Sequence, residues 1–140
     1  MNDRTSTAIL ISQADSHRLD ELVRSSRYRS ADSARLAELR KELEQCTVVA
    51  VPEIPLDLVT MRSRVRIKDL ATRGEETFTL VYPEEASMFD GKLSVLAPLG
   101  AALLGARVGE TLHVKVPAGV RHIRVTHLQY QPEAAGDFDL

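Results

Sequence analysis

The chain has 140 residues, of which 44% are hydrophobic and 27% charged, a composition that excludes wholesale disorder. A formal net charge of −2, with no Trp, three Tyr and three Phe, argues against a protein that holds nucleic acid by phosphate contacts or base stacking. A single cysteine, Cys46, excludes an internal disulfide and a cysteine-based zinc site.

The sequence also indicates the cellular location of the protein. Its N-terminal apolar run, residues 8–11, is shorter than a signal peptide requires, and no run has the length of a membrane span. These features predict a soluble cytoplasmic protein with no membrane contact. We expect a monomer that makes no direct sequence-specific contact with nucleic acid.

The first predicted element is an amphipathic helix that begins at a capping box. Ser12 accepts a hydrogen bond from a first-turn N–H in such a motif, while Asp15 reaches back to the start of the helix. Leu19, Leu22 and Val23 then share one face at helical spacing.

A second helix is predicted to begin near Ser30 or Asp32, either of which can cap it. Its apolar side chains, at the spacing of a coiled-coil seam, are Leu36, Leu39, Leu43 and Cys46. Neither stripe is wide enough for a core of its own, so we predict that the two helices form a short antiparallel hairpin, a helical arm over residues 1–50.

Beyond a proline-containing linker at 52–55, the hydrophobic period changes from helical to alternating. Four strands are predicted, at 64–68, 77–82, 111–116 and 121–130. One short helix begins at Pro98, where a missing N–H costs nothing. We therefore predict an α+β protein in which residues 51–140 form an antiparallel β-sheet domain with one short helix and a loosely held acidic tail from Glu133.

The residues carry no recognisable catalytic motif. No pair among His17, His113, His122 and His127 has metal-ligand spacing, and the glycines form no phosphate-binding loop. Cys46 lies on the helical seam, where a packing role is expected. The sequence therefore predicts a protein with no catalytic residue, metal or cofactor.

Three segments of the second half nevertheless form a specific signature: VTMRSRV at 59–65, LSVLAPLGAALLG at 93–105 and HLQYQPEAAGD at 127–137. In order and spacing they resemble the Gre family of transcript elongation factors, and within it the short-armed Rnk branch, the regulators of nucleoside diphosphate kinase. The resemblance covers nearly the whole chain. It implies a coiled-coil arm on a C-terminal domain with an FK506-binding-protein-like fold.

The resemblance also implies a partner, because Gre factors dock on the rim of the RNA polymerase secondary channel. They do so through the loop before the short helix. The matching residues here are Ser94, Val95, Leu96, Ala97, Pro98, Leu99 and Gly100. Pro98 is the clearest match, whereas Leu96 and Ala97 replace the polar residue and serine that usually precede it.

In the family, two acidic residues at the arm tip hold a magnesium ion that drives cleavage of backtracked RNA. The tip residues here are Arg24, Arg27, Tyr28, Arg29 and Asp32. One carboxylate beside three arginines is a poor magnesium site. The helix at 12–24 spans roughly 20 Å, shorter than the family's arms. We therefore predict a non-catalytic regulator that competes with Gre factors for RNA polymerase.

Two alternatives remain open on the sequence. The chain would be a cleavage factor if Asp32 met a second carboxylate, or an interaction protein that regulates nucleoside diphosphate kinase. A prolyl isomerase is disfavoured, because the few aromatic residues cannot build the apolar proline pocket.

Overall fold

The two predicted helices are present in the computed structural model, which describes residues 10–24, 30–117 and 119–136. Helix α1 spans Gln13–Arg24 and helix α2 spans Ser30–Gln45, so the expected start at Ser30 is confirmed. The two helices pack against each other. Their apolar faces are the expected ones, since Leu19, Leu22 and Leu39 are buried.

The helices bury these faces against the rest of the chain as well as against each other. Leu19 and Leu39 belong to one hydrophobic core with Val59, Met61 and Val65 of the second half. Partly buried apolar side chains of the helical arm pack around them: Val23, Leu36, Leu43 and Cys46. The division into units at residue 50 stays a prediction.

Two short strands, one before α1 and one after α2, pair to form a small parallel sheet. Strand β1, Leu10–Ser12, pairs with strand β2, Thr47–Val49, with Leu10 opposite Thr47. Neither strand was predicted, because three residues are too few to establish an alternating pattern and the two paired segments lie far apart in the chain.

The main sheet contains five strands in the order β5-β4-β3-β7-β6. The strands are β3 (Arg64–Asp69), β4 (Glu75–Val81), β5 (Lys92–Ser94), β6 (Thr111–Val116) and β7 (Gly119–Tyr130). The four predicted strands are confirmed and pair antiparallel. The unpredicted β5 runs parallel to β4, so the sheet is mixed at this edge. The FK506-binding-protein-like description of the domain stays a prediction.

Two short helices accompany the sheet. Helix α3, Pro98–Leu103, begins at the expected proline, and helix α4, Pro132–Ala135, adds a single turn near the C-terminus. The expectation of one helix in this half was therefore wrong. In the part of the chain that the structure describes, no helix is long and apolar enough to cross a membrane.

The start of the acidic tail is held in place, contrary to expectation. The hydroxyl of Thr60 donates a hydrogen bond to Glu133 Oε1 at 2.7 Å, and Pro132 is buried. The amide of Gln131 donates to the carbonyl oxygens of Pro55, at 2.9 Å, and Leu58, at 2.6 Å. These partners lie more than 70 residues away in the chain, which is why composition alone suggested a loose tail.

Candidate functional site

The expected docking loop, residues 94–100, is a tight turn fixed to the edge of the sheet. The Ser94 hydroxyl accepts a hydrogen bond from the Leu96 N–H at 3.0 Å, and the Ser94 carbonyl accepts one from the Ala97 N–H at 3.0 Å. The Val95 N–H donates to the Val81 carbonyl of β4 at 2.9 Å. Hydrogen bonds within the chain thus define the loop backbone.

Only part of this loop faces solvent. Val95, Leu96 and Leu99 are 1%, 8% and 7% exposed and belong to the hydrophobic core. Pro98 is exposed, while Ser94 and Ala97 are half-buried. Of the seven predicted docking residues, only Pro98 is exposed, and the docking role of the loop stays a prediction.

Gly100 allows helix α3 to lie directly on the loop that precedes it. A Cβ atom at this position would be 2.0 Å from the carbonyl oxygen of Ser94 and 2.9 Å from its carbonyl carbon. Because both are backbone atoms, no side-chain rotation can relieve the contact. Any residue other than glycine would separate the helix from the loop.

The helical arm contacts the same loop through Arg35 of α2. Its Nε donates a hydrogen bond to the Leu96 carbonyl oxygen at 3.1 Å, and its Nη1 pairs with Glu38 at 2.6 Å. The Arg35 side chain is only 24% exposed. The sequence offered no signal for this contact, because arginine and carbonyl are 61 residues apart and the acceptor is a backbone atom.

A second junction, between α1 and the second half of the chain, forms around Asp15. Its carboxylate accepts hydrogen bonds from the Met61 N–H at 3.3 Å and from the Tyr82 hydroxyl at 3.4 Å. The Arg18 guanidinium lies 4.1 Å from the centroid of the Tyr82 ring. The aromatic face and the charged groups thus hold α1 against the domain.

The predicted capping box is half present. The Ser12 hydroxyl accepts a hydrogen bond from the Asp15 N–H at 3.2 Å, as expected. The Asp15 carboxylate does not complete the box but turns toward Met61 and Tyr82. A tertiary contact has replaced the local one, which a sequence motif cannot reveal.

The Asp15 carboxyl group titrates near neutral pH in this environment. Burial, followed by the negative charge of Glu133, raises its pKa to about 7, although hydrogen bonds from Met61 and Tyr82 and the charge of Arg18 act in the opposite direction. Burial, followed by the Asp15 charge, also raises the pKa of the Tyr82 hydroxyl. The junction therefore changes its charge within the physiological pH range.

The predicted arm tip is described only in part. Arg24 pairs with Asp20 at 2.9 Å, both side chains being exposed. Arg27, Tyr28 and Arg29 lie outside the described residues, and Asp32 belongs to the first turn of α2. The expected role of these residues stays a prediction.

Two features elsewhere bear on the expected lack of metal chemistry. Within residues 10–24, 30–117 and 119–136, no group of three or more His, Cys, Asp or Glu side chains could hold a metal ion. His113 and His122, whose contact the sequence did not predict, face each other across β6 and β7 with ring centroids 4.5 Å apart.

Comparison with known proteins identifies the family. The model of the C-terminal domain of the transcription elongation factors GreA and GreB matches residues 54–130. The "Regulator of nucleoside diphosphate kinase" of Escherichia coli strain K12 is 42% identical over 93% of this chain and 95% of its own length. GreA of Chloroherpeton thalassium is 34% identical over 85% of this chain and 78% of its own.

A solved structure agrees with these sequence matches. The prokaryotic transcription elongation factor GreA/GreB from Nitrosomonas europaea superimposes with a TM-score of 0.72 and 35% identity, covering 88% of this chain and 98% of the other. Since the family model matches the main sheet and the loop at 94–100, and the relatives align over most of the chain, this chain belongs to the GreA/GreB family of transcription elongation factors.

Proposed function

We propose that this protein is a non-catalytic regulator of transcription that docks on RNA polymerase at the rim of the secondary channel. There it competes with Gre factors without stimulating transcript cleavage. Family membership supports a partner in the transcription machinery, because the matched region 54–130 contains the whole docking loop.

The observation that carries the proposal is the exposure of Pro98 on a loop that is fixed from two sides. Hydrogen bonds to β4 hold the loop on one side, and Arg35 of the arm holds the Leu96 carbonyl on the other. A surface already ordered in the free protein loses little conformational entropy on binding. The exposed proline ring can then contact a partner without rearrangement of the chain.

The length and charge of the arm support a role without cleavage. Helix α1 has 12 residues and spans only about 18 Å. Between residues 24 and 33 the sequence places one carboxylate, Asp32, among three arginines, and hard divalent cations prefer several oxygen ligands. The arm would act as a steric block or a secondary contact.

Replacing Pro98 with arginine should impair docking while the fold persists. The new side chain adds bulk and charge at an exposed position, and we expect affinity for core RNA polymerase to fall about tenfold or more. Titration of fluorescently labelled core polymerase with each variant measures this effect.

Val120→Arg is the matched control, since it adds the same side chain at a 54% exposed position on the β6–β7 hairpin. We expect it to bind as the wild type does. Equal affinity of Pro98→Arg and wild type, with both proteins folded, would contradict docking through this loop.

The name of the Escherichia coli relative favours a second candidate, the regulation of nucleoside diphosphate kinase. A direct effect would appear as a change in the activity of the purified kinase when this protein is added without polymerase. An effect on kinase levels that requires transcription would instead support the polymerase-binding role.

A further inference from the structure

A row of four polar side chains crosses the main sheet on the face opposite the core. Lys92 of β5 pairs with Thr79 of β4, Thr79 with Arg64 of β3, and Arg64 with Tyr130 of β7. In a regular ladder, residues paired in this way project from the same face of a sheet, as Lys92, Thr79 and Arg64 do. Tyr130 pairs with Arg64 at a shift in the register of the strands, and it is placed beside Arg64 by the cleft that both residues line. The next residue along the chain after Arg64, Thr79 and Lys92 is in each case buried: Val65, Leu80 and Leu93, respectively. Because successive side chains alternate between faces, the row points away from the core.

The same four residues line a cleft of about 420 Å³, together with Arg62, Val81 and Glu85. Arg62 closes one side in a left-handed backbone conformation, with φ of 66°. Its guanidinium donates to both oxygens of Glu85, including a bond from Nε to Oε1 at 3.1 Å. Glu85 is thereby occupied by Arg62, and the wall of the cleft is held in place.

Two other cationic side chains line the cleft without a carboxylate partner of this kind among the described residues. Arg64 and Lys92 are exposed, and neither forms an ion pair with a carboxylate among the described residues. Their Cα atoms are two strand spacings apart, about 10 Å, so that both long side chains can reach a ligand lying over Thr79. Tyr130 places an aromatic ring one strand beyond Arg64.

We propose that this cleft binds a nucleoside diphosphate. Arg64 and Lys92 would bind the two phosphates, with the Thr79 hydroxyl as a hydrogen-bond donor between them, and the base would stack on Tyr130. The volume lies within the range of small-molecule sites, and a nucleotide matches the order of cations, hydroxyl and ring along the row. This site does not use the exposed Pro98, so it is separate from the proposed docking contact.

Isothermal titration calorimetry with ADP, inorganic pyrophosphate and adenosine tests the proposal on the full-length protein. We expect ADP to bind, pyrophosphate to bind more weakly and adenosine to bind weakest. Arg64→Gln and Lys92→Gln should each weaken ADP binding about tenfold, because each removes a charge-assisted hydrogen bond. Lys115→Gln, which removes the same charge from an exposed position on β6, should bind ADP as the wild type does.

Tyr130→Leu separates the role of the ring from that of the charges. It should weaken ADP binding and leave pyrophosphate binding unchanged, since the phosphates do not contact the ring in this arrangement. Thermal unfolding of every variant checks that it is folded. The proposal is overturned if ADP does not bind the wild type, or if Arg64→Gln and Lys92→Gln reduce binding no more than Lys115→Gln does.

Discussion

Gly100→Ala is expected to destabilise the protein by about 3 kcal/mol or more, at the upper end of what overpacking costs. The added methyl carbon would lie 2.0 Å from the Ser94 carbonyl oxygen, so either helix α3 or the docking loop must move. Movement of the loop also disturbs the Leu96 carbonyl that Arg35 holds. The free energy of unfolding in urea measures the loss.

Gly74→Ala provides the control for this experiment. A Cβ at Gly74 would have its nearest contact 3.4 Å away, at the Thr72 hydroxyl, which is ordinary van der Waals distance. We expect a change within about 0.5 kcal/mol, as for other surface substitutions. If Gly100→Ala is as stable as Gly74→Ala, the close approach of α3 to the loop does not exist in solution.

Asp15→Asn should make the protein more stable at pH 8 and remove part of its pH dependence. The pKa of Asp15 is about 7 in the folded protein and near its ordinary value in the unfolded chain, so folding is favoured when the group is protonated. This contribution is fully present below about pH 4 and is lost as the pH rises through 7. The neutral amide avoids the loss, a gain of at most about 4 kcal/mol at pH 8.

The measurement is the free energy of unfolding of wild type and variant at pH 5 and pH 8. The difference between the two proteins should grow with pH, because only the wild type loses a proton at the junction. An Asp15→Asn variant that is less stable than the wild type at pH 8 would show that the ionised carboxylate is favoured there.

Asp69→Asn should behave in the opposite way and serves as the control. The backbone N–H groups of Thr72 and Ala71 donate to the Asp69 carboxylate and, with Arg121, hold its pKa below the ordinary value. Its contribution is present above the unfolded pKa and lost in acid. The variant should therefore be less stable than the wild type at pH 8.

The elements that sequence reasoning found are those whose pattern is local. Leu19 and Leu22 share a helical face, and Val65 and Ile67 alternate with charged residues, so each element shows its buried side in a few consecutive residues. Pro98 likewise indicates a helix start from its own chemistry. These signals were sufficient for the α+β class and for four of the five strands of the main sheet.

What was missed depends on partners far apart in the chain. Strand β1 requires β2, the Leu96 carbonyl requires Arg35, and Glu133 requires Thr60. The side-chain contacts of Asp15 were missed for the same reason. Its position fits a capping box, but its carboxylate accepts a hydrogen bond from Tyr82, which lies far away in the sequence. The docking role of the loop at 94–100 was predicted only from resemblance, and which of the loop's residues face solvent became evident only from the packing of α3.

The most direct test of the proposed function is cleavage in a stalled, backtracked elongation complex, with this protein added alone and then titrated against a full-length Gre factor. We expect no cleavage by this protein alone and a progressive loss of Gre-stimulated cleavage as its concentration rises. Undiminished Gre-stimulated cleavage at saturating protein would contradict competition for the docking site. Cleavage by this protein alone, abolished by Asp32→Ala, would establish the arm tip as a cleavage site and contradict a non-catalytic role.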